Sequence, residues 1–125
     1  MIIFAIVESP YAGDVERNLA YLRAAMHDCF KRGEIPFASH ALYTQPGVLN
    51  DHDPVERAQG IAAGKEVAKA LGQAAATYAG VRVRHVFYTD LGESRGMIAA
   101  RSWHRELVGI DKPEDRSLTG WSGKV

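Results

Sequence analysis

The chain has 125 residues, 46% of them hydrophobic and 24% charged, the size and balance of one domain that can bury its own core. Fifteen Lys and Arg offset fifteen Asp and Glu, so the basic excess of a nucleic-acid binder is missing. A lone Cys29 makes neither an internal disulfide nor a paired-Cys metal site, and the longest apolar run falls far short of the ~20 residues of a membrane span. That run, Met1 to Val7, also lacks the basic start of a signal peptide, and the expectation is a cytoplasmic protein with no membrane partner.

Met1 to Val7 is rich in β-branched residues and predicts a strand buried on both faces. The loop Glu8-Ser-Pro-Tyr-Ala-Gly-Asp14 follows, and Asp14 is a good N-cap. Val15, Leu19, Leu22, Met26 and Cys29 then form one helical stripe, closed by Lys31, Arg32 and Gly33. Ile35 to His40 reads as a short second strand weakened by Pro36, and Ala41 to His52 as a long connection of the kind that is often functional. Asp53-Pro54-Val55-Glu56 combines an N-cap, a first-position Pro and a reciprocal acid. The helix it opens is expected to about Ala70, with Ala58, Ile61, Ala62, Val67 and Leu71 on its apolar side; Gly72 to Gly80 either prolongs it or forms another. Val81 to Tyr88 predicts a strand, central in its second half. Ser94 caps a helix to about Val108, and a last short strand is expected near Asp115 to Leu118. Strand, loop and helix in threefold repetition predict a parallel α/β sheet covered by helices, with ligands held beyond the carboxyl ends of the strands.

Three loops sit at those ends. Glu8 to Asp14 carries neither G-x-G-x-x-G nor a P-loop, but it feeds a helix N-terminus suited to an anion, with Arg17 and Asn18 as further donors. A capped helix with a surface Arg accounts for the same residues equally well. Ser39 and His40, adjacent on a strand, would point to opposite faces, so no Ser–His triad is implied and G-x-S-x-G is absent. They read either as hydrogen-bonding partners of a ligand or as a structural pair. His40, His52, His85 and His104 are too scattered to read as metal ligands. Capping explains Asp53 and Glu56; Gly60, four residues on from Glu56, leaves room for a ligand or a partner helix. In Tyr88 to Met97, Asp90 ends a strand, Gly92 and Gly96 relieve crowding, and Ser94 opens a helix. An acid at that edge can hold a ribose hydroxyl, trade protons with a base, or simply cap the turn.

Taken together, these loops resemble the nucleoside 2-deoxyribosyltransferase-like superfamily, in particular a small uncharacterised branch of it. The likeness rests on Ser9-Pro-Tyr-x-Gly-Asp14 with Val15 to Asn18, Pro36 to His40 with Leu42 to Leu49, Pro54-x-Glu56-Arg57-x-x-Gly60-Ile61, and Tyr88 to Gly92 through Ser94-x-Gly96-Met97. It implies a flavodoxin-like or Rossmann-like three-layer α/β sandwich with helices on both faces of a parallel sheet. It also implies a nucleoside or nucleotide ligand, chemistry at the N-glycosidic bond without metal or cofactor, and a homodimer or higher assembly. Trp103, Leu107 and Trp121 are apolar material that such an assembly would cover. In the transferases a nucleophilic Glu directly follows Gly-Met; here Ile98 follows Gly96-Met97 and supplies no electron pair. The resemblance leaves Glu93 and Asp90 as candidate catalytic carboxylates. The candidate substrate contacts are Ser9, Tyr11, Asp14, Arg17, Asn18, Ser39, His40, Tyr43, Gly92, Ser94 and Gly96. Three readings stay open: an N-glycosidase or deoxyribosyltransferase-like enzyme, a non-catalytic binder of a nucleotide or nucleotide-derived signal, and an assembly protein whose loops are merely capped turns.

Overall fold

A computed structural model describes residues 1–118, 120 and 121; residues 119 and 122–125, the end of the expected single domain, lie outside the described residues. Four strands, β1 (Ile2–Glu8), β2 (Ile35–Phe37), β3 (Val81–Tyr88) and β4 (Glu114–Arg116), make one parallel sheet in the order β2-β1-β3-β4. That is the order of flavodoxin-like doubly wound sheets. Helix α1 (Val15–Lys31) covers one face, and α3 (Pro54–Thr77) with α4 (Arg95–His104) covers the other. The fold is the three-layer α/β sandwich. Among the described residues no helix is long and apolar enough to cross a membrane.

Alternation in the two central strands builds two cores. Ala5, Val7, Val86 and Tyr88 meet Tyr21, Leu22, Ala25 and Cys29 of α1. Ile6 and Val83 meet Ala68 of α3, while Phe87 meets Met97 and Ala100 of α4. Asp14 caps α1 through the Arg17 N–H at 3.2 Å, and Ser94 caps α4 through the Met97 N–H at 3.2 Å, as their sequence positions predict.

Several boundaries differ from the expected ones. Strand β2 stops at Phe37, and Ser39–Leu42 form a short helix, α2, so Ser39 and His40 do not alternate on a strand. Of the two alternatives for the Ala-rich segment, prolongation holds: helix α3 runs to Thr77, because that segment is a good helix former despite Gly72. Its inward face is Gly64, Ala68 and Gly72, whereas Ala58, Ile61 and Ala62 are exposed. Small residues are required there. A Cβ on Gly64 would stand 2.7 Å from Ser39, and one on Gly72 would stand 2.1 Å from the Val108 carbonyl oxygen. The expected reciprocal box at the start of α3 is half made: Asp53 accepts from the Val55 N–H at 2.9 Å, but Glu56 turns away to accept from the Asn50 N–H at 3.2 Å. Helix α4 ends at His104 rather than Val108, and β4 begins one residue early, at Glu114.

Candidate functional site

Strand β1 feeds α1 and β2 on one side, and β3 lies on its other side, so the loops after β1 and β3 diverge at the switch point of the sheet. Ser9, 6% exposed, places its Oγ 2.9 Å from Nε2 of His40 and so ties the β1 exit to α2. Burial lowers the proton affinity of His40, with the Glu8 carboxylate opposing, and leaves its imidazole neutral near pH 7. Asn18 is buried and donates from Nδ2 to the carbonyls of Tyr11 and Ala12, at 2.9 and 3.0 Å. It is a loop anchor rather than a free donor. Its Oδ1 and the Nε of Arg17 are buried without hydrogen-bond partners among the described residues.

Between α2, the loop after it and the first turns of α3 lies a cavity of about 70 Å³. Its wall includes Ser39, His40, Tyr43, Asp51, Glu56 and Arg57. An adjoining hollow of about 240 Å³ shares Asp51, Arg57 and Ile61. Gly60 does leave space, but Leu49 Cδ1 takes it, 3.3 Å from where a Cβ would stand. The Tyr43 ring leans edge-on against Phe37, with centroids 6.4 Å apart, and stays half-buried in the wall. Aromatic, hydroxyl, carboxylate and guanidinium groups therefore converge on one concave surface.

The two carboxylates singled out in the sequence are engaged elsewhere. Asp90 accepts from the Tyr21 hydroxyl at 2.5 Å, the Ser117 hydroxyl at 2.6 Å and the Leu118 N–H at 2.8 Å. Partial burial opposes its ionisation, but these three donors outweigh it and hold the carboxyl below the usual carboxylate range. Burial and Asp90 together push the Tyr21 phenol well up, so it stays a donor. Asp90 thus fastens the segment after β4 to the β3 exit. Glu93 pairs with Arg101, whose other side reaches Asp115 at 2.6 Å. Gly92 relieves no crowding, since a Cβ there would meet nothing within 4 Å; its φ of +84° is a left-handed conformation that glycine permits. Gly96 relieves no crowding, since a Cβ there would meet only Ser94 Oγ at 3.8 Å. Ile98 is 57% exposed and lines neither hollow. Trp103 and Leu107 pack on the α3 side and Trp121 on Tyr21, so these three are not a bare apolar surface.

The sequence reading does not bring Glu8, His85 and His104 together. The Glu8 carboxylate lies 2.8 Å from Nε2 of His85, and the Nδ1 atoms of His85 and His104 are 2.8 Å apart. The register that pairs Ile6 with His85 brings Glu8, two residues further on, to the same face; no motif in the chain encodes that pairing. Among the described residues, no three His, Cys, Asp or Glu side chains are grouped to hold a metal ion.

A family model matches residues 3–100, and the chain belongs to that family, described as "Domain of unknown function (DUF7768)". No curated protein and no solved structure matches the chain.

Proposed function

We propose that the protein binds a nucleoside or nucleotide at the carboxyl edge of the sheet, as a non-catalytic relative of N-glycosidic-bond enzymes. One observation carries this reading. Two of the four segments that resemble the deoxyribosyltransferase-like superfamily, separated in the chain, line one cavity: Ser39, His40 and Tyr43 from the second, and Glu56, Arg57 and Gly60 from the third. Tyr43 offers a face to a base, Asp51 and Glu56 accept from sugar hydroxyls, and Arg57 is the cation for a phosphate. The inner cavity is small beside the ~300 Å³ at which ligand sites begin, so the ligand takes the adjoining hollow as well. The binding reading is preferred to turnover because Asp90 and Glu93 are committed to neighbours and Ile98 has no nucleophilic atom.

Calorimetric titration with 2′-deoxynucleosides and their 5′-monophosphates tests it. We expect the monophosphates to bind more tightly, by about 1–3 kcal/mol from charge-assisted contacts, with Arg57→Ala removing that difference. Absence of binding by either class at millimolar concentration overturns the reading. The exposed side chains of Leu42, Val48, Val55 and Ile61 lie on the cavity's own elements, and we assign them to the contact of a homodimer. A monomeric mass by light scattering at micromolar concentration would refute that assignment.

A further inference from the structure

Glu8 closes β1, and its side chain is 17% exposed at the carboxyl edge, while His85 behind it is wholly buried and His104 is half-buried at the end of α4. The His85 ring stacks on Trp103, centroids 5.4 Å apart, and on His104, 5.0 Å apart. Two imidazole nitrogens 2.8 Å apart share one proton. Because Glu8 takes the Nε2 proton of His85, neutral His85 is bare at Nδ1 and accepts from Nδ1–H of His104.

The pair has room for one more proton. It enters at Nε2 of His104 while the shared proton crosses from His104 Nδ1 to His85 Nδ1. His104 is then neutral again, and His85 is an imidazolium against the Glu8 carboxylate. A second proton would set two N–H groups face to face across 2.8 Å and break the contact. We propose that Glu8, His85 and His104 form a proton relay that carries a change of charge from His104 to the Glu8 carboxylate at the carboxyl end of β1, so that a ligand donating hydrogen bonds to Glu8 binds in competition with one proton. The ligand half of this proposal rests on the nucleoside reading above; the proton half does not.

The surroundings suit the role. Lys65 of α3, 5.9 Å from the Trp103 ring, is paired with Glu106 at 2.9 Å. Arg101 of α4, over the Phe87 ring at 4.1 Å, is paired with Glu93 and Asp115. His40 of α2 is kept neutral by burial and bonded to Ser9. Lys65 and Arg101 are thus each already matched with a carboxylate. Burial and the neighbouring His85 both hold the proton affinity of His104 down.

Side-chain NMR of the imidazole nitrogens and of the Glu8 carboxyl carbon, followed from pH 5 to 8, decides the relay. In the wild type the Glu8 carbon should show an inflection at the pH where the histidine pair takes up its proton. Glu8→Gln, equal in shape and neutral, should lower the proton affinity of the pair roughly tenfold, and His104→Gln should remove the inflection from Glu8. Histidine titrations unmoved by Glu8→Gln, or a Glu8 inflection that survives His104→Gln, overturn the relay whatever the protein binds. Calorimetry with 2′-deoxyadenosine in two buffers of different ionisation heat reads the ligand half: below the titration point of the pair, binding should release protons in the wild type and none in Glu8→Gln. Proton-independent binding overturns the competition. Failure of 2′-deoxyadenosine and its monophosphate to bind, with the NMR coupling intact, overturns the nucleoside reading and leaves the relay standing.

Discussion

Both faces of the sheet bury titratable groups, and the two sets have opposite characters. Under α1, Glu34 at the start of β2 accepts from Arg116 of β4 at 2.6 and 2.7 Å and from Arg84 at 2.7 Å, with the Glu34 and Arg116 side chains 0% and 1% exposed. These contacts bind one edge of the sheet to the other. Tyr88 extends the network by donating to Asp28 at 2.7 Å. Burial pushes the Glu34 carboxyl up, but the two guanidinium partners outweigh it and hold it below the usual range, while burial pushes the Cys29 thiol up to about 11. Every charge in that network is fixed across the physiological range. Under α3 and α4 the groups are imidazoles instead, and their chain ends at Glu8, 17% exposed at the carboxyl end of β1. A buried charge network serves architecture when its partners hold one charge state, and it can serve a site when they do not.

The largest test breaks the fixed side. Arg116→Met leaves Glu34 buried with Arg84 as its remaining guanidinium partner, and should cost about 3–5 kcal/mol in urea unfolding. Glu34→Leu combined with Arg116→Met should recover much of that loss, since the buried charges are removed together. A cost below about 1 kcal/mol for the single variant would mean that the network does not hold the sheet edges.

Acid sharpens the same contrast. Because the folded pKa of Glu34 is depressed, its contribution to stability is fully present above the unfolded value of about 4.3 and is lost as pH falls through the folded value. The urea midpoint of the wild type should therefore fall below about pH 4.3, and more shallowly in the double variant, where that carboxylate is absent. Equal slopes would place the acid sensitivity elsewhere.

Asp90 provides a third and smaller test, because its structural and catalytic roles predict different results. Three donors converge on its carboxylate, so Asp90→Ala should cost about 1–3 kcal/mol and loosen Trp121 from Tyr21, visible as a change in tryptophan emission. Nucleoside affinity should stay within about twofold, because the cavity is walled by other residues. A large loss of affinity with unchanged stability would return Asp90 to the ligand.

The sequence made most of this architecture legible and little of the site's internal pairing. Local signals do reach the caps at Asp14, Asp53 and Ser94 and the alternating strand faces, because each depends on a few adjacent residues. The inward face of α3 was read only in part: Leu71 does pack against the core, but hydrophobicity also favoured the exposed Ile61 and passed over Gly64 and Gly72, which are set by Ser39 of α2 and by the Val108 carbonyl. The contacts that define the crevice join Ser9 to His40 and Glu8 to His85, 31 and 77 positions apart. Such pairs follow from strand register and helix approach, which one sequence does not display. The carboxylates that sequence did flag, Asp90 and Glu93, were drawn into hydrogen bonds by residues 101, 117 and 118, two of them in the chain's poorly patterned tail.

The smallest expected effect is at Ile98, where the resemblance to transferases is broken. Its side chain is 57% exposed, four residues past the cap of α4, while Met97 beside it is buried against Phe87 and Ala100. Replacing an exposed alkyl group near a helix start by Ile98→Glu adds a favourable dipole interaction of about 0.3–1 kcal/mol, and the change in unfolding free energy should not exceed that. If position 98 faced the anomeric carbon of a bound sugar, the new carboxylate would restore a nucleophile, and base exchange between a deoxynucleoside and a second free base would appear by chromatography. We expect none in either form of the protein, because an exposed side chain outside the cavity gains charge without gaining a reacting partner. Exchange by Ile98→Glu alone would show that the helix presents this position to the ligand and that the wild type is a transferase scaffold lacking its nucleophile. Exchange by the unmodified protein would overturn the non-catalytic reading, and mass-spectrometric mapping of the trapped sugar adduct would identify the carboxylate responsible.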